Sequence, residues 1–264
     1  MKHCYTIVIL IGILAFPQLS IAIEEKPALF NTSGITEKIG TKIPLKTTLT
    51  QSNGKKVTLD DILKEKKPII LNFVYYHCPM LCNLLADGIQ KAVQQLDPKT
   101  NSKYSILTVS MDHSNTIQQA KNFKEKYTQN QSSPNWRFTI GSEETIQLLT
   151  QTTGFNFNKL KNNSDFAHSA ALMIINKEGI ITRYLYGIQF KPFDIKLAVL
   201  ESKQPSKQTI LEKTLLFCYS YNPDENSYAL KAIRVMQITG TLFAFLILLV
   251  IITMIKKESN IEKE

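Results

Sequence analysis

Residues 73–89 read FVYYHCPMLCNLLADGI. The run PIILNFVYY over 68–76 feeds into Cys78 and Cys82, and a helical pattern follows. An apolar run without alternation fits a strand buried on both faces, as in the middle of an α/β sheet. Pro79 suits the first turn of a helix. MLCNLLADGIQKAVQQL then carries apolar residues at helical spacing until Asp97-Pro98 ends it. Two thiols at such a junction lie at the carboxyl end of the strand, the edge where open α/β sheets place their chemistry. The pair admits three readings: a structural disulfide, a redox couple, or part of a metal site.

The flanks extend the same architecture. IPLKTTLTQSNGKKVTLDDIL (43–63) alternates loosely around Ser52-Asn53-Gly54, and Asn-Gly between strand-like runs predicts a hairpin. YSILTVSMD (104–112) reads as a second buried strand, 114–127 as a helix and 136–140 as a short strand. SEETIQLLTQTTG (142–154) is a helix with Ser142 as cap, acids in its first turn and Gly154 beyond its end. AALMIINKEGIITRYLYG (170–187) reads as two strands around the turn 176–179, and 191–202 as a last helix. Hairpin, β, α, β, α, β, α, β-hairpin, α predicts a central mixed sheet flanked by helices.

The two ends are of another kind. MKHCYTIVILIGILAFPQLSIA (1–22) has a basic start, a short apolar core and Ser20-Ile21-Ala22. That is the pattern of a secretory signal, with which Cys4 would leave. Its apolar run falls short of the about 20 residues that span a bilayer. From 238 to 255 there is no charge, and Lys256-Lys257 follow, as in a transmembrane helix with a basic stop. The expected division is signal peptide 1–22, linker 23–42, folded domain 43–202, connecting segment 203–236, transmembrane helix 237–256 and cytoplasmic tail 257–264. The domain is then exported and held at the outer face of the cytoplasmic membrane, on the periplasmic side. The net charge of +9 over 264 residues is spread through lysines. No basic cluster interleaved with aromatics suggests nucleic acid. The charge suits anionic lipid or an acidic partner instead.

Without Cys4, three of the four cysteines remain. An odd count in an oxidising compartment leaves at least one thiol over after any pairing. On a helix, residues four apart have Cβ atoms about 5–6 Å apart, a little wide for a relaxed disulfide. Thiolates at a helix start are stabilised, and soft thiolates select Cu(I), zinc or iron–sulfur clusters. Two ligands are too few for a tight site. The candidates for a third are His77, beside Cys78; His113, at the end of the second core strand; and His168, in NNSDFAHSAALMII before the late strand pair. Cys218 has no spacing that pairs it with these and reads as a free or packing thiol. Phe73, Tyr75 and Tyr76 read as core.

FVYYHCPMLC, followed by SMD and then DFAHSAALMIINKEG, resembles the SCO/SenC family of thioredoxin-fold copper proteins over roughly 43–201. The resemblance implies a thioredoxin-like fold and a copper ion, Cu(I) or Cu(II), held by Cys78, Cys82 and His168. It also implies a role in loading the binuclear copper centre of cytochrome c oxidase subunit II, as a metallochaperone, a thiol reductant, or both. A copper donor protein is a further implied partner. Asp112 falls where the family often has an aspartate after its second core strand and is a candidate supporting or partner-facing residue. Two features depart from the commoner pattern: Pro-Met-Leu between the cysteines, and a C-terminal rather than N-terminal anchor. Some bacterial members share that anchor, with a Cys-Tyr-x-Tyr segment before it, here Cys218-Tyr219-Ser220-Tyr221. The competing class is a thiol-disulfide oxidoreductase in which Cys78 attacks and Cys82 resolves. Nothing specific supports a peroxidase.

Overall fold

A computed structural model describes residues 33–128, 135–160, 165–222 and 225–261. The expected signal peptide, with Cys4, lies outside the described residues, as do residues 23–32 of the linker and the last three residues. Strands β1 (Thr48–Gln51) and β2 (Lys56–Thr58) form the expected hairpin. Gly54 in its turn takes φ +81°, the left-handed region that costs glycine little. The hairpin ends earlier than its alternation suggests, because Leu59–Leu63 is a short helix, α1. Thr58 and Asp61 form a capping box there, which satisfies the helix-start N–H groups and ends the strand.

The core follows in β–α steps. Strand β3 (Ile69–Val74) and strand β4 (Ser105–Ser110) are buried at every position. Helix α2 (Leu81–Gln94) lies between them, followed by the one-turn helix α3 (Pro98–Asn101). Asp97 therefore caps α3 through Thr100 N–H instead of only ending α2. Helix α4 (Ile117–Tyr127) starts three residues later than 114–127 implies, because Thr116 and Gln119 form its capping box. Strand β5 (Asn135–Ile140) and helix α5 (Glu143–Thr153) come next, with Ser142 as N-cap and Gly154 at φ +66° as C-cap.

A small hairpin, β6 (Phe157–Lys159) with β7 (Phe166–His168), precedes the pair β8 (Ala171–Ile175) and β9 (Ile181–Tyr186). Helix α6 (Pro192–Glu201) follows. The seven-stranded sheet has the order β2-β1-β5-β4-β3-β8-β9. Strands β3, β4 and β5 run parallel, and β8 runs antiparallel to β3. Phe73, Phe138, Phe155 and Tyr184 are among the largest wholly buried side chains. Each removes about 1.5–3 kcal/mol of apolar exposure from water.

Residues 203–230, read above as connecting chain, carry structure of their own. Helix α7 (Ile210–Cys218) leads into a hairpin of β10 (Tyr219–Asn222) and β11 (Ser227–Leu230). The last element is helix α8 (Ala232–Ile261), which holds a stretch, Val235–Thr253, long and apolar enough to cross a membrane.

Candidate metal centre

Strand β3 stops at Val74, and α2 starts at Leu81 with Met80 at its N-cap. Cys78 therefore sits in the intervening loop, and Pro79 precedes the helix instead of opening it. Cys82 is the second residue of α2. The two thiols are not on one helical face, as spacing alone suggested. Met80 supplies no side-chain cap, and the Cys78 sulfur takes that place: the Cys82 backbone N–H donates to Cys78 Sγ at 3.3 Å. The Tyr75 backbone N–H donates to Cys82 Sγ at 3.4 Å. Asn83 Nδ2 donates to the Cys78 carbonyl at 2.8 Å. Both thiols are free, and both are buried.

The sheet explains what meets them. Strand β8 pairs antiparallel with β3, with Leu71 opposite Met173 and Ile69 opposite Ile175. The chain just before β8 is therefore carried to the carboxyl end of β3, where the cysteines begin. That chain is β7, whose last residue is His168. His168 Nε2 lies 3.6 Å from Cys82 Sγ. Its Nδ1 lies 2.9 Å from the Ser169 carbonyl. A carbonyl only accepts, so Nδ1 carries a proton, and Nε2 is the ring nitrogen turned toward sulfur. A hydrogen bond of this kind on the far ring nitrogen is what orients metal-binding imidazoles.

The thiols are driven apart electrostatically. The Cys82 thiol, the His168 ring and the Cys82 backbone N–H hold the Cys78 thiol well below its ordinary pKa, against the cost of burial. Burial first, and then the neighbouring Cys78, push the Cys82 thiol up. Cys78 is thus the thiolate of the pair, and Cys82 the protonated thiol facing His168.

Tyr75, read above as plain core, is also part of the site. Its ring centroid lies 5.0 Å from His77, 5.2 Å from Phe166 and 6.0 Å from His168. Its hydroxyl lies 3.4 Å from Asp165 Oδ1. Burial and the Cys78 thiol raise its pKa. Asp165, three residues before His168, was not singled out in sequence; its place in DFAH was the available signal.

The remaining candidates lie elsewhere. Asp112 Oδ1 accepts from Ser114 N–H at 2.9 Å and from Ser114 Oγ at 2.7 Å. Its Oδ2 is 3.8 Å from His77 Nε2. Asn115 Nδ2 donates to His77 Nδ1 at 3.0 Å, and Asn115 Oδ1 accepts from Tyr76 N–H at 2.8 Å. His77 and Asp112 thus brace the loop that carries Cys78. His113 is exposed, with Nε2 3.9 Å from Glu143 Oε2. Met80 is 67% exposed. Cys218 ends α7.

Among the described residues, no group of three or more His, Cys, Asp or Glu side chains is preformed as a metal site. The fit to a soft ion lies in the donor chemistry: two sulfurs, one already biased to thiolate, and an imidazole nitrogen aimed at them.

The sequence pattern of the SCO1/SenC family matches residues 40–196. Among solved structures, a protein from Aquifex aeolicus VF5 is 25% identical with a TM-score of 0.56, the match covering 63% of this chain and 95% of that one. BsSco, described as a member of the Sco family of cytochrome c oxidase assembly proteins, is 19% identical with a TM-score of 0.52, over 63% and 96%. A Sco protein from Arabidopsis thaliana solved with copper bound is 21% identical with a TM-score of 0.48, over 62% and 98%. No curated protein sequence matches the chain. The mixed sheet, the cysteine pair at the end of β3 and a family pattern that spans more than half of the residues agree, and this chain belongs to the SCO1/SenC family.

Proposed function

We propose that this protein carries copper to the binuclear copper centre of a cytochrome c oxidase subunit II, or to a similar acceptor, outside the cytoplasmic membrane. Cys78, Cys82 and His168 hold the ion as cargo. The observation that carries this reading is His168 Nε2 lying 3.6 Å from Cys82 Sγ with its tautomer set by Ser169. Two sulfurs suit Cu(I), and the added imidazole suits Cu(II). Cys82 and His168 sit on regular elements, and Cys78 sits on a loop. An acceptor thiolate that approaches past exposed Met80 replaces Cys78 first, and the ion then leaves the other two donors. The division of the ends given above, with 1–22 removed, 237–256 in the membrane and 257–264 inside, keeps the domain on the side where such an acceptor is loaded.

A second reading is favoured by the unequal thiols: a reductant that keeps the acceptor's cysteines ready for copper. Cys78 thiolate attacks an acceptor disulfide and one acceptor thiolate leaves. Cys82 passes its proton to His168 Nε2, attacks the Cys78 sulfur of the mixed disulfide and releases the second acceptor thiol. Two electrons move to the acceptor, and this protein leaves with a Cys78–Cys82 disulfide.

Copper titration of the reduced protein, followed by absorbance and spin resonance, separates the two. Cys78→Ser and Cys82→Ser should each abolish tight binding. His168→Ala should weaken Cu(II) far more than Cu(I) and shift the thiolate-to-copper charge-transfer band. His77→Ala and His113→Ala should change the spectrum little. Unchanged spectra in all three histidine variants, with disulfide reduction intact, would favour the reductant.

A further inference from the structure

Helix α7 presents two unlike sides. Leu215 and Leu216 pack on the core, and Glu212 pairs with Lys203 at 2.7 Å. The opposite side is open: Ile210 is 86% exposed, Leu211 70% and Phe217 46%. At about 100° per residue, Phe217, Ile210, Thr214, Cys218 and Leu211 fall in that order within about 120° of arc. None of the five is charged.

Two independent observations say what covers this side. One is continuity. The Lys231 backbone N–H donates to the Cys218 carbonyl at 2.8 Å, which ties the end of α7 to the residue before α8. The membrane-length stretch begins at Val235, about 6 Å further along a helix. Leu230, Ile233 and Met236 beside it are also exposed. The other is charge. Just before α7, a cavity of about 250 Å³ is lined by Lys66, Lys177, Lys203 and Lys207. Lys177 alongside pushes the Lys207 ammonium down from its ordinary value. Two of the four lysines are paired: Lys177 with Glu178 at 3.3 Å and Lys203 with Glu212 at 2.7 Å.

We propose that α7 lies in the membrane surface, with its uncharged side in the headgroup–acyl boundary and the lysine cavity over anionic phospholipid headgroups. Interfacial helices of this kind sink about 5–10 Å. The inference rests on the reading of α8 as a membrane-spanning helix. Its consequence is that the domain is held against the bilayer by two contacts and does not swing on one tether.

The chain has one tryptophan, Trp136, which is buried, so a second reports its own surroundings. Full-length Ile210→Trp and Phe217→Trp are reconstituted in phosphatidylcholine–phosphatidylglycerol vesicles with brominated acyl chains. Leu246→Trp in α8 and Leu148→Trp on exposed α5 serve as references. Emission at 210, 217 and 246 should be more than halved by the brominated lipid, and emission at 148 unchanged. Quenching at 210 should fall in pure phosphatidylcholine and in a Lys66→Glu/Lys207→Glu background. If 246 is quenched while 210 and 217 behave as 148 does, α7 is not in the bilayer, the spanning helix stands and the face belongs to a protein partner. If 210 and 217 are quenched and 246 is not, surface docking stands and the spanning reading fails. Quenching that ignores headgroup charge and both lysine reversals would overturn the role of the cavity.

Discussion

The Cys78 sulfur accepts the Cys82 backbone N–H and faces the His168 ring, while the Cys82 sulfur is wholly buried. The sign of each effect fixes reactivity. A thiol held below its ordinary pKa is already thiolate at neutral pH; one raised by burial stays protonated. Ordinary thiols label faster as pH rises through about 8.5. Labelling of Cys78 by iodoacetamide should therefore exceed that of Cys82 and stay nearly flat from about pH 6 to 9. His168→Ala removes one source of thiolate stabilisation and should restore part of the usual pH slope at Cys78. Peptide mass spectrometry reads both; faster labelling at Cys82 would overturn the assignment of the thiolate.

Helix α2 positions Cys82 through a contact on its far side. A Cβ at Gly88 would lie 1.9 Å from the Ile188 carbonyl oxygen, a backbone atom that cannot rotate away. Gly88→Ala must therefore push α2 off the 188–189 segment. The expected cost is about 1–3 kcal/mol, read as a lower melting temperature. Because the displaced helix carries Cys82, copper affinity should fall in the same variant. Gly154→Ala provides a comparison without that link: its φ is +66° and its Cβ would meet the Thr36 carbonyl oxygen at 1.8 Å. It should lower stability while a folded fraction keeps its copper affinity. Equal loss of affinity in both would mean that α2 does not transmit the effect.

The folded domain and the apolar helix α8 are joined by a docked segment instead of a loose one. Tyr228 N–H donates to Asp194 Oδ1 at 3.2 Å, and Tyr228 Oη donates to Glu201, which also pairs with Arg183. The Arg183 guanidinium stacks over Tyr221 at 5.1 Å, and Phe193 meets Tyr219 edge-on at 5.0 Å. Burial raises the Asp194 pKa, against the opposing pull of the Tyr228 N–H and of the Lys191 ammonium. Tyr228→Phe removes one of the two donors to Glu201 Oε2 and leaves Arg183 Nε, at about 0.5–1.5 kcal/mol. The β10–β11 hairpin should then be cut faster by protease, with copper binding unchanged. A chain that ends at Met236 keeps α7 and the lysine cavity and should come off in high salt from membranes that retain the full-length protein; retention of both in high salt would place the firm membrane contact outside α8.

Much of this was legible because burial leaves a local mark. Strands β3, β4 and β8 read as apolar runs because both faces are covered, and Ser142 and Gly154 mark α5 because helix ends need those residues at those places. The cysteine pair, the sheet edge it occupies and the apolar helix were determined by sequence in the same way. Hairpin β6–β7 left no such mark, since three-residue strands are too short for a period, and the docked hairpin β10–β11 alternates too briefly among polar and aromatic residues. Only the tertiary structure decided how His168 reaches the thiols and how unequally burial and neighbours act on the two of them. Spacing alone made Cys78 and Cys82 neighbours on one helix and left His77, His113 and His168 to be separated by resemblance. The antiparallel pairing of β8 with β3 brings His168 across 86 residues to Cys82. A pattern along the chain reports that a side is buried; what it is buried against is a long-range contact, set by how the strands pair.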